Sequence, residues 1–229
     1  MTDRSVFTRA MSLAVHELRT PMTVTAGYLR MLSREQAGPL NEKQQKMVEE
    51  AERAAARVNA LIAEMSELGK MEGGELEISR VSFDLSSIIT EVAATMHEGE
   101  DRDIRLEIRA PAPVIVTGDR TRVAAALKAL MHAALRERAQ PGVIIVHCTT
   151  LTDTTLRWAV VAIGDDAHVP PLVDAARGAP PSFDEWRGGM GLALPLGRRV
   201  IEAHGGAIWS SPDTPRAGSG MRLPLEEGR

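Results

Sequence analysis

The sequence predicts an α+β chain in which a long antiparallel helical hairpin precedes a mixed sheet with helices on one side. Three observations carry this. Apolar residues recur every three or four positions as far as about Gly69, and short β-like runs begin after Gly73-Gly74. Aromatic residues make up only 3% while Ala, Leu and Met abound, a mix that favours helix packing over a sandwich of pure strands. With 229 residues, 44% of them hydrophobic, the chain can bury a real core in one large domain or two small ones.

The first helix is read from residue 3 to 36. Its stripe is Phe7, Met11, Ala14, Leu18, Met22, Thr25, Leu29 and Leu32, narrow as in a coiled coil. Gln36-Ala37-Gly38-Pro39-Leu40 is a break, and Asn41 with Gln44 three residues on forms a helix-start signal. The second helix runs to about Gly69 with the heptad stripe Met47, Ala51, Ala54, Val58, Leu61, Met65 and Leu68. Two helices of roughly 45 Å cannot fully bury such stripes against each other. A second copy, completing a four-helix bundle, would do so. The domains are therefore set at 1–72 and 73–229.

Beyond the glycine pair the pattern reads as strand Leu76–Phe83, helix Leu85–Met96, strands Ile104–Arg109 and Val114–Thr117, and helix Arg120–Arg138. Strands Val143–Thr149 and Leu156–Ile163 follow, then a Pro/Gly-rich loop from Gly164 to Gly189 and a helix from Leu192 to His204. Strands Ala207–Ser211 and Gly220–Pro224 complete the sheet. No internal repeat interrupts this order.

Charge excludes some functions. With 27 basic and 31 acidic residues the net charge is −4, so no global basic field exists to hold nucleic acid or an anionic membrane surface. The single cysteine, Cys148, excludes an internal disulfide framework and a Cys-based zinc site, and fits a reducing cytoplasm. No run reaches the roughly 20 apolar residues of a membrane span, and the start lacks the charged-then-apolar plan of a signal peptide. A cytoplasmic protein is expected.

The chemistry concentrates at His16-Glu17-Leu18-Arg19-Thr20-Pro21. His16 lies about 200° around the helix from both Ala14 and Leu18, so it points away from the stripe toward water. Thr20 is one turn along on the same face, and Glu17 flanks the imidazole. Pro21 cannot donate to the carbonyl of Glu17, which loosens the helix one turn past the histidine. A carboxylate beside an exposed imidazole can accept its proton or hold its tautomer, making the other nitrogen a nucleophile.

This hexapeptide resembles the phospho-acceptor box of sensor histidine kinases, and the hairpin resembles their dimerisation and histidine-phosphotransfer domain. The resemblance spans nearly the whole chain. It implies that His16 is phosphorylated, that Glu17 is the general base, and that Glu17 and Thr20 support dephosphorylation of a partner response regulator. The second region is similar to the kinases' Bergerat-type ATP-binding domain. Gly188-Gly189-Met190-Gly191-Leu192 opening a helix, followed by His204-Gly205-Gly206 and Gly218-Ser219-Gly220, matches the order of the second and third glycine boxes. Gly189, Gly191, Leu192, Gly218 and Gly220 are thus expected beside a nucleotide, where bare backbone amides can hold phosphate.

Two boxes depart from the family's pattern. Asp119 to Ala133 is similar to the asparagine-box helix, whose two asparagines, four apart, serve phosphate and Mg2+; their places fall on Lys128 and His132, neither of which offers a hard oxygen ligand. The first glycine box aligns Asp165 with the adenine-binding aspartate and replaces both glycines by Ala167 and Val169. A one-residue shift would put Gly164 there instead.

The resemblance implies ATP and Mg2+ as cofactors, a homodimer, and a receiver-domain partner. Two main readings follow: a kinase core that phosphorylates His16 from ATP and passes the group to a regulator aspartate, or a degenerate kinase serving as phosphotransferase, regulator phosphatase or regulator-binding module. A silent partner-binding scaffold is a third. With about 15 residues before His16, a sensor domain is expected to be absent or to lie outside this chain.

Overall fold

A computed structural model describes residues 3–110, 112–153, 156–186, 191–211 and 218–225. Internal contacts divide the chain into two compact units, Met1–Leu76 and Glu77–Arg229.

In the first unit, α1 (Asp3–Ser33) and α2 (Glu42–Gly73) form the hairpin. The helix-start signal forms in full: Gln44 N–H donates to Asn41 Oδ1 and Asn41 N–H to Gln44 Oε1, each at 2.9 Å. Gly74, at φ 72°, ends α2 in the left-handed conformation and donates to the last carbonyls. Across the turn, Ser33 Oγ donates to Glu52 at 2.9 Å.

The seam between the helices differs from the expected stripe. Val15, Ala55, Ile62 and Leu68 are buried, with Met11, Met22, Ala26 and Leu29 partly covered. Phe7, Leu18, Met47 and Val58 are exposed instead, as are Thr25 and Ala54. The cause is geometric: two helices cover only one strip on each other, and the apolar surface here is wider than one strip. At 100° per residue, a stripe chosen by spacing alone lands on its flank. Small residues set the approach where α1 begins. A Cβ at Gly69 would stand 3.3 Å from Met11 Cγ, and one at Gly73 3.2 Å from Thr8 Cγ2.

In the second unit, β1 (Val81–Asp84) pairs antiparallel with β3 (Ile115–Gly118), with α3 (Leu85–Ala93) and β2 (Ile104–Arg109) between them in sequence. Then come α4 (Arg120–Glu137), β4 (Gly142–Asp153), β5 (Leu156–Gly164), α5 (Val169–Asp174), α6 (Ala193–Ala203), β6 (Ala207–Ser210) and β7 (Gly218–Pro224). The main sheet runs β2-β4-β5-β7-β6, parallel between β2 and β4 and antiparallel elsewhere.

Strand parity sorts the core into two layers. Val146, Cys148, Val161, Ile163 and Met221 point to the face covered by α3, α4 and α6, where Ser86 Oγ of α3 lies 4.0 Å from Cys148 Sγ. Burial pushes the Cys148 thiol up to about 11, so this side chain behaves as a core apolar group. The opposite face carries Ile145, Trp158, Val160, Ala162 and Trp209, packed against Val169, Leu172 and Ala176 in and after α5. The expectation of helices on one side alone is corrected here, as is the reading of residues 164–189 as loop throughout. Pro170 and Pro171 marked α5 as loop, yet prolines are tolerated in a helix's first turn, where amides have no helical acceptor. The expected strand Leu76–Phe83 is confined to β1, and the third helix ends at Ala93.

Asp119 caps α4, accepting from Arg122 N–H at 3.1 Å and pairing with the Arg122 guanidinium. Its own N–H donates to Nε2 of the buried His204 at 2.8 Å, while His204 Nδ1–H donates to Val200 O at 2.7 Å. One imidazole therefore ties the start of α4 to the end of α6. Burial pulls the Asp119 carboxyl upward, but the hydrogen bonds and charge of Arg122 outweigh it, and its pKa lies below the ordinary 3.8. Its stabilising effect is full above 3.8 and is lost as acid protonates the unfolded chain first. Asp119→Ala should cost roughly 1–2 kcal/mol at neutral pH and Asp119→Asn less, with a flatter loss below pH 4 in denaturant titrations of either.

Candidate functional site

His16 occupies a middle turn of α1, with its side chain 79% exposed. Nδ1 stands 3.2 Å from Oε1 of Glu17, itself 69% exposed. A carboxylate only accepts, so Nδ1 carries the proton and Nε2 presents its lone pair to water. Thr20 is exposed one turn on. Around Pro21, where the helix lacks an amide donor, Thr23 Oγ1 donates to Arg19 O at 2.8 Å and Thr25 Oγ1 to Pro21 O at 2.9 Å. These hydroxyls bind carbonyls within their own helix, neither of them the Glu17 carbonyl that the proline leaves without its amide donor.

The residues expected at a nucleotide do not converge in the same way. Lys128 is exposed, and His132 Nδ1 pairs with Glu98 Oε1 at 2.9 Å. Burial, helped by Lys128 and Arg136 and opposed by Glu98, holds the His132 ring below its ordinary pKa. Asp165 lies at the C-terminal end of β5, beside a hollow of about 300 Å3 lined by Ala134, Glu137, Arg138, Gln140 and Ile144. Ala134 and Glu137 lie roughly 120–180° around α4 from Lys128 and His132 at 100° per residue, so the two sets face different ways.

Asp165 is also occupied. Its Oδ1 accepts from Ala167 N–H (3.1 Å), His168 N–H (3.2 Å) and His168 Nδ1 (2.6 Å), and Oδ2 lies 3.7 Å from Arg138. Burial raises its pKa, but the His168 and backbone hydrogen bonds dominate and hold the carboxyl below its ordinary value.

Gly218 and Gly220 are bare for a packing reason. Both point to the α5 face of the sheet. A Cβ at Gly218 would stand 2.7 Å from Ile163 O and 2.8 Å from Leu172 Cδ1, and one at Gly220 would fall inside the Trp209 indole. Gly191, at φ 62°, precedes Leu192 at the N-cap of α6. Gly189 lies outside the described residues. Sequence reading did not find the role of His204, whose partner Asp119 is 85 positions away, and passed over His168, three residues from Asp165, because that carboxylate was assigned to the nucleotide.

Residues 8–74 match the His Kinase A (phospho-acceptor) domain, a match that contains His16 and both helices of the hairpin. The histidine kinase AdeS of Acinetobacter baumannii superposes over 93% of this chain and 98% of its own, with TM-score 0.61 and 19% identity. The hairpin is thus a phospho-acceptor domain of the His Kinase A type, and the chain shares the fold of a solved histidine kinase.

Full-length ShkA, solved in complex with AMPPNP, matches 95% of this chain with TM-score 0.69 and 18% identity, over 45% of its own chain. In sequence, the histidine-protein kinase BarA of Escherichia coli is 28% identical over 213 residues, covering 89% of this chain and 23% of BarA. The cell-division control histidine kinase PdhS of Brucella suis is 28% identical over 204 residues, covering 82% and 20%. The chain thus spans about a fifth to a quarter of the length of these relatives. Among the described residues, no helix is long and apolar enough to cross a membrane.

Among the described residues, the groups expected at the metal do not fit Mg-ATP: Lys128 and His132, set by resemblance in the places of the family's asparagines, carry nitrogen where oxygen ligands are expected. On the side of α4 that meets α6, Ala126 touches Gly197. Among the described residues, no group of three or more His, Cys, Asp or Glu is placed to hold a metal ion.

Proposed function

We propose that this chain is a phosphotransfer module of a two-component system, in which His16 carries a phosphoryl group exchanged with the aspartate of a receiver domain. The observation that carries it is the exposed imidazole with Nδ1 held by Glu17. Attack by Nε2 on phosphorus forms the N–P bond while the leaving oxygen takes the electron pair, and Glu17 accepts the Nδ1 proton as positive charge builds on the ring. Thr20, one turn away, orients a water for dephosphorylation of the regulator, as the family resemblance implies. Two copies pair through the apolar flank that the hairpin leaves uncovered, including Leu13, Val24, Tyr28 and Met31 (63%, 53%, 64% and 45% exposed).

Phosphoramidate, a small donor that phosphorylates reactive imidazoles, tests the base directly. Glu17→Gln keeps a hydrogen-bond acceptor but cannot take the proton. It should slow the appearance of phosphohistidine about 10²-fold without changing thermal stability. An unchanged rate would remove Glu17 from the chemistry.

A further inference from the structure

His16 and its base are fully formed, whereas the described residues expected at a nucleotide are held by other partners. Oδ1 of Asp165 accepts from Ala167 and His168, with Arg138 3.7 Å from Oδ2. Gly218 and Gly220 are covered by Leu172 and Trp209. Lys128 and His132 offer no oxygen, and His132 is paired with Glu98. Phosphoryl transfer is driven mainly by positioning and charge neutralisation, so losing recognition and metal ligands together removes both.

We propose that the phosphoryl donor of His16 is an acyl phosphate, the phosphoaspartyl group of a receiver domain, so that this chain relays phosphate between receivers without drawing it from ATP. This rests on the reading of His16 as phospho-acceptor. The chemistry limits the donor class. A phosphorylated imidazole is itself highly activated, so a serine or threonine phosphate monoester cannot drive its formation, whereas a mixed carboxylic–phosphoric anhydride can. In the step, the Nε2 lone pair attacks phosphorus and the P–O bond to the acyl oxygen breaks. The aspartate leaves as a free carboxylate with that electron pair, and the Nδ1 proton passes to Glu17. Atoms and charge balance with no further reactant. Charge neutralisation comes from the donor's side.

The test uses the whole chain beside its His16→Ala variant with four donors: Mg-[γ-32P]ATP, acetyl [32P]phosphate alone, phosphoramidate read by intact mass, and receiver domains of the same genome charged with acetyl [32P]phosphate and desalted. The expected result is His16-dependent phosphorylation from phosphoramidate and from at least one charged receiver, about tenfold or more above His16→Ala. ATP and acetyl phosphate alone should give no excess over the variant. His16-dependent label from Mg-ATP would overturn the proposal while leaving His16 as acceptor. Label from free acetyl phosphate matching that from receivers, or none from any receiver, would overturn it as well. Failure with phosphoramidate would instead overturn the reading of His16 beneath it.

Discussion

His16→Ala should abolish phosphorylation of the helical hairpin while leaving the chain's unfolding transition in place. The side chain is 79% exposed, and its hydrogen bond is to the equally solvated Glu17. Removing such a group should change stability by no more than about 0.5 kcal/mol. Alanine also suits a helix interior better than histidine, which offsets part of that loss. The chemical effect is total because no second nucleophile stands in the same turn: Thr20 offers a hydroxyl without an adjacent base. His16→Gln separates charge from nucleophile, retaining polarity and helix compatibility with equal loss of phosphorylation. Mass spectrometry after phosphoramidate treatment, alongside circular dichroism melts, reads both halves. A phosphorylated His16→Ala chain would move the acceptor elsewhere.

Gly220→Ala should destabilise the second unit by about 3 kcal/mol, among the largest single-residue effects available in the sheet. Trp209 is fully buried, pairs across β6–β7 with Gly220, and donates its indole N–H to Leu172 O at 3.2 Å. A methyl group at residue 220 meets the ring directly. Either the indole tilts and abandons the Leu172 carbonyl, leaving a buried donor unpaired, or β7 shifts and strains its ladders to β5 and β6. For a unit of this size the melting temperature should fall by roughly 10 °C in calorimetry. Trp209→Phe made in the same chain should recover part of the loss, a non-additivity expected only when the two side chains collide. Phosphorylation of His16 by phosphoramidate should persist, because no residue of the sheet takes part in it.

The residues that were legible from sequence are those whose partners are near in the chain. Glu17 is adjacent to His16, and Asn41 with Gln44 closes its cap within one turn, so identity and spacing were enough. Strands β4 and β5 were readable because their apolar runs are long, and β2 because its apolar residues alternate with charged ones. Gly218 and Gly220 were conspicuous as glycines, but their cause lies at Leu172 and Trp209, which only the pairing of β6 with β7 brings near. Lys128 and His132 were placed by resemblance to the family's helix, whereas the side of α4 that meets α6 is marked by Ala126 against Gly197, two small residues without any distinguishing pattern. The hairpin seam failed similarly, since Val15 and Ile62 compete with Leu18 and Val58 for the same role. Choosing between neighbouring apolar strips requires knowing the partner helix.

Strand β7 follows β6 in sequence yet lies between β6 and β5. During synthesis, then, β6 emerges with no neighbour to bond, and the five-stranded sheet stays open until residues 218–224 arrive to bridge it. The two helices of the hairpin have each other in hand some 150 residues earlier and, with contacts local along the chain, can form on the ribosome first. A nascent chain halted before β7 would therefore display a finished His16 stem attached to an unclosed, strand-exposing body. Such truncated products should be recognised by chaperones through the second unit alone.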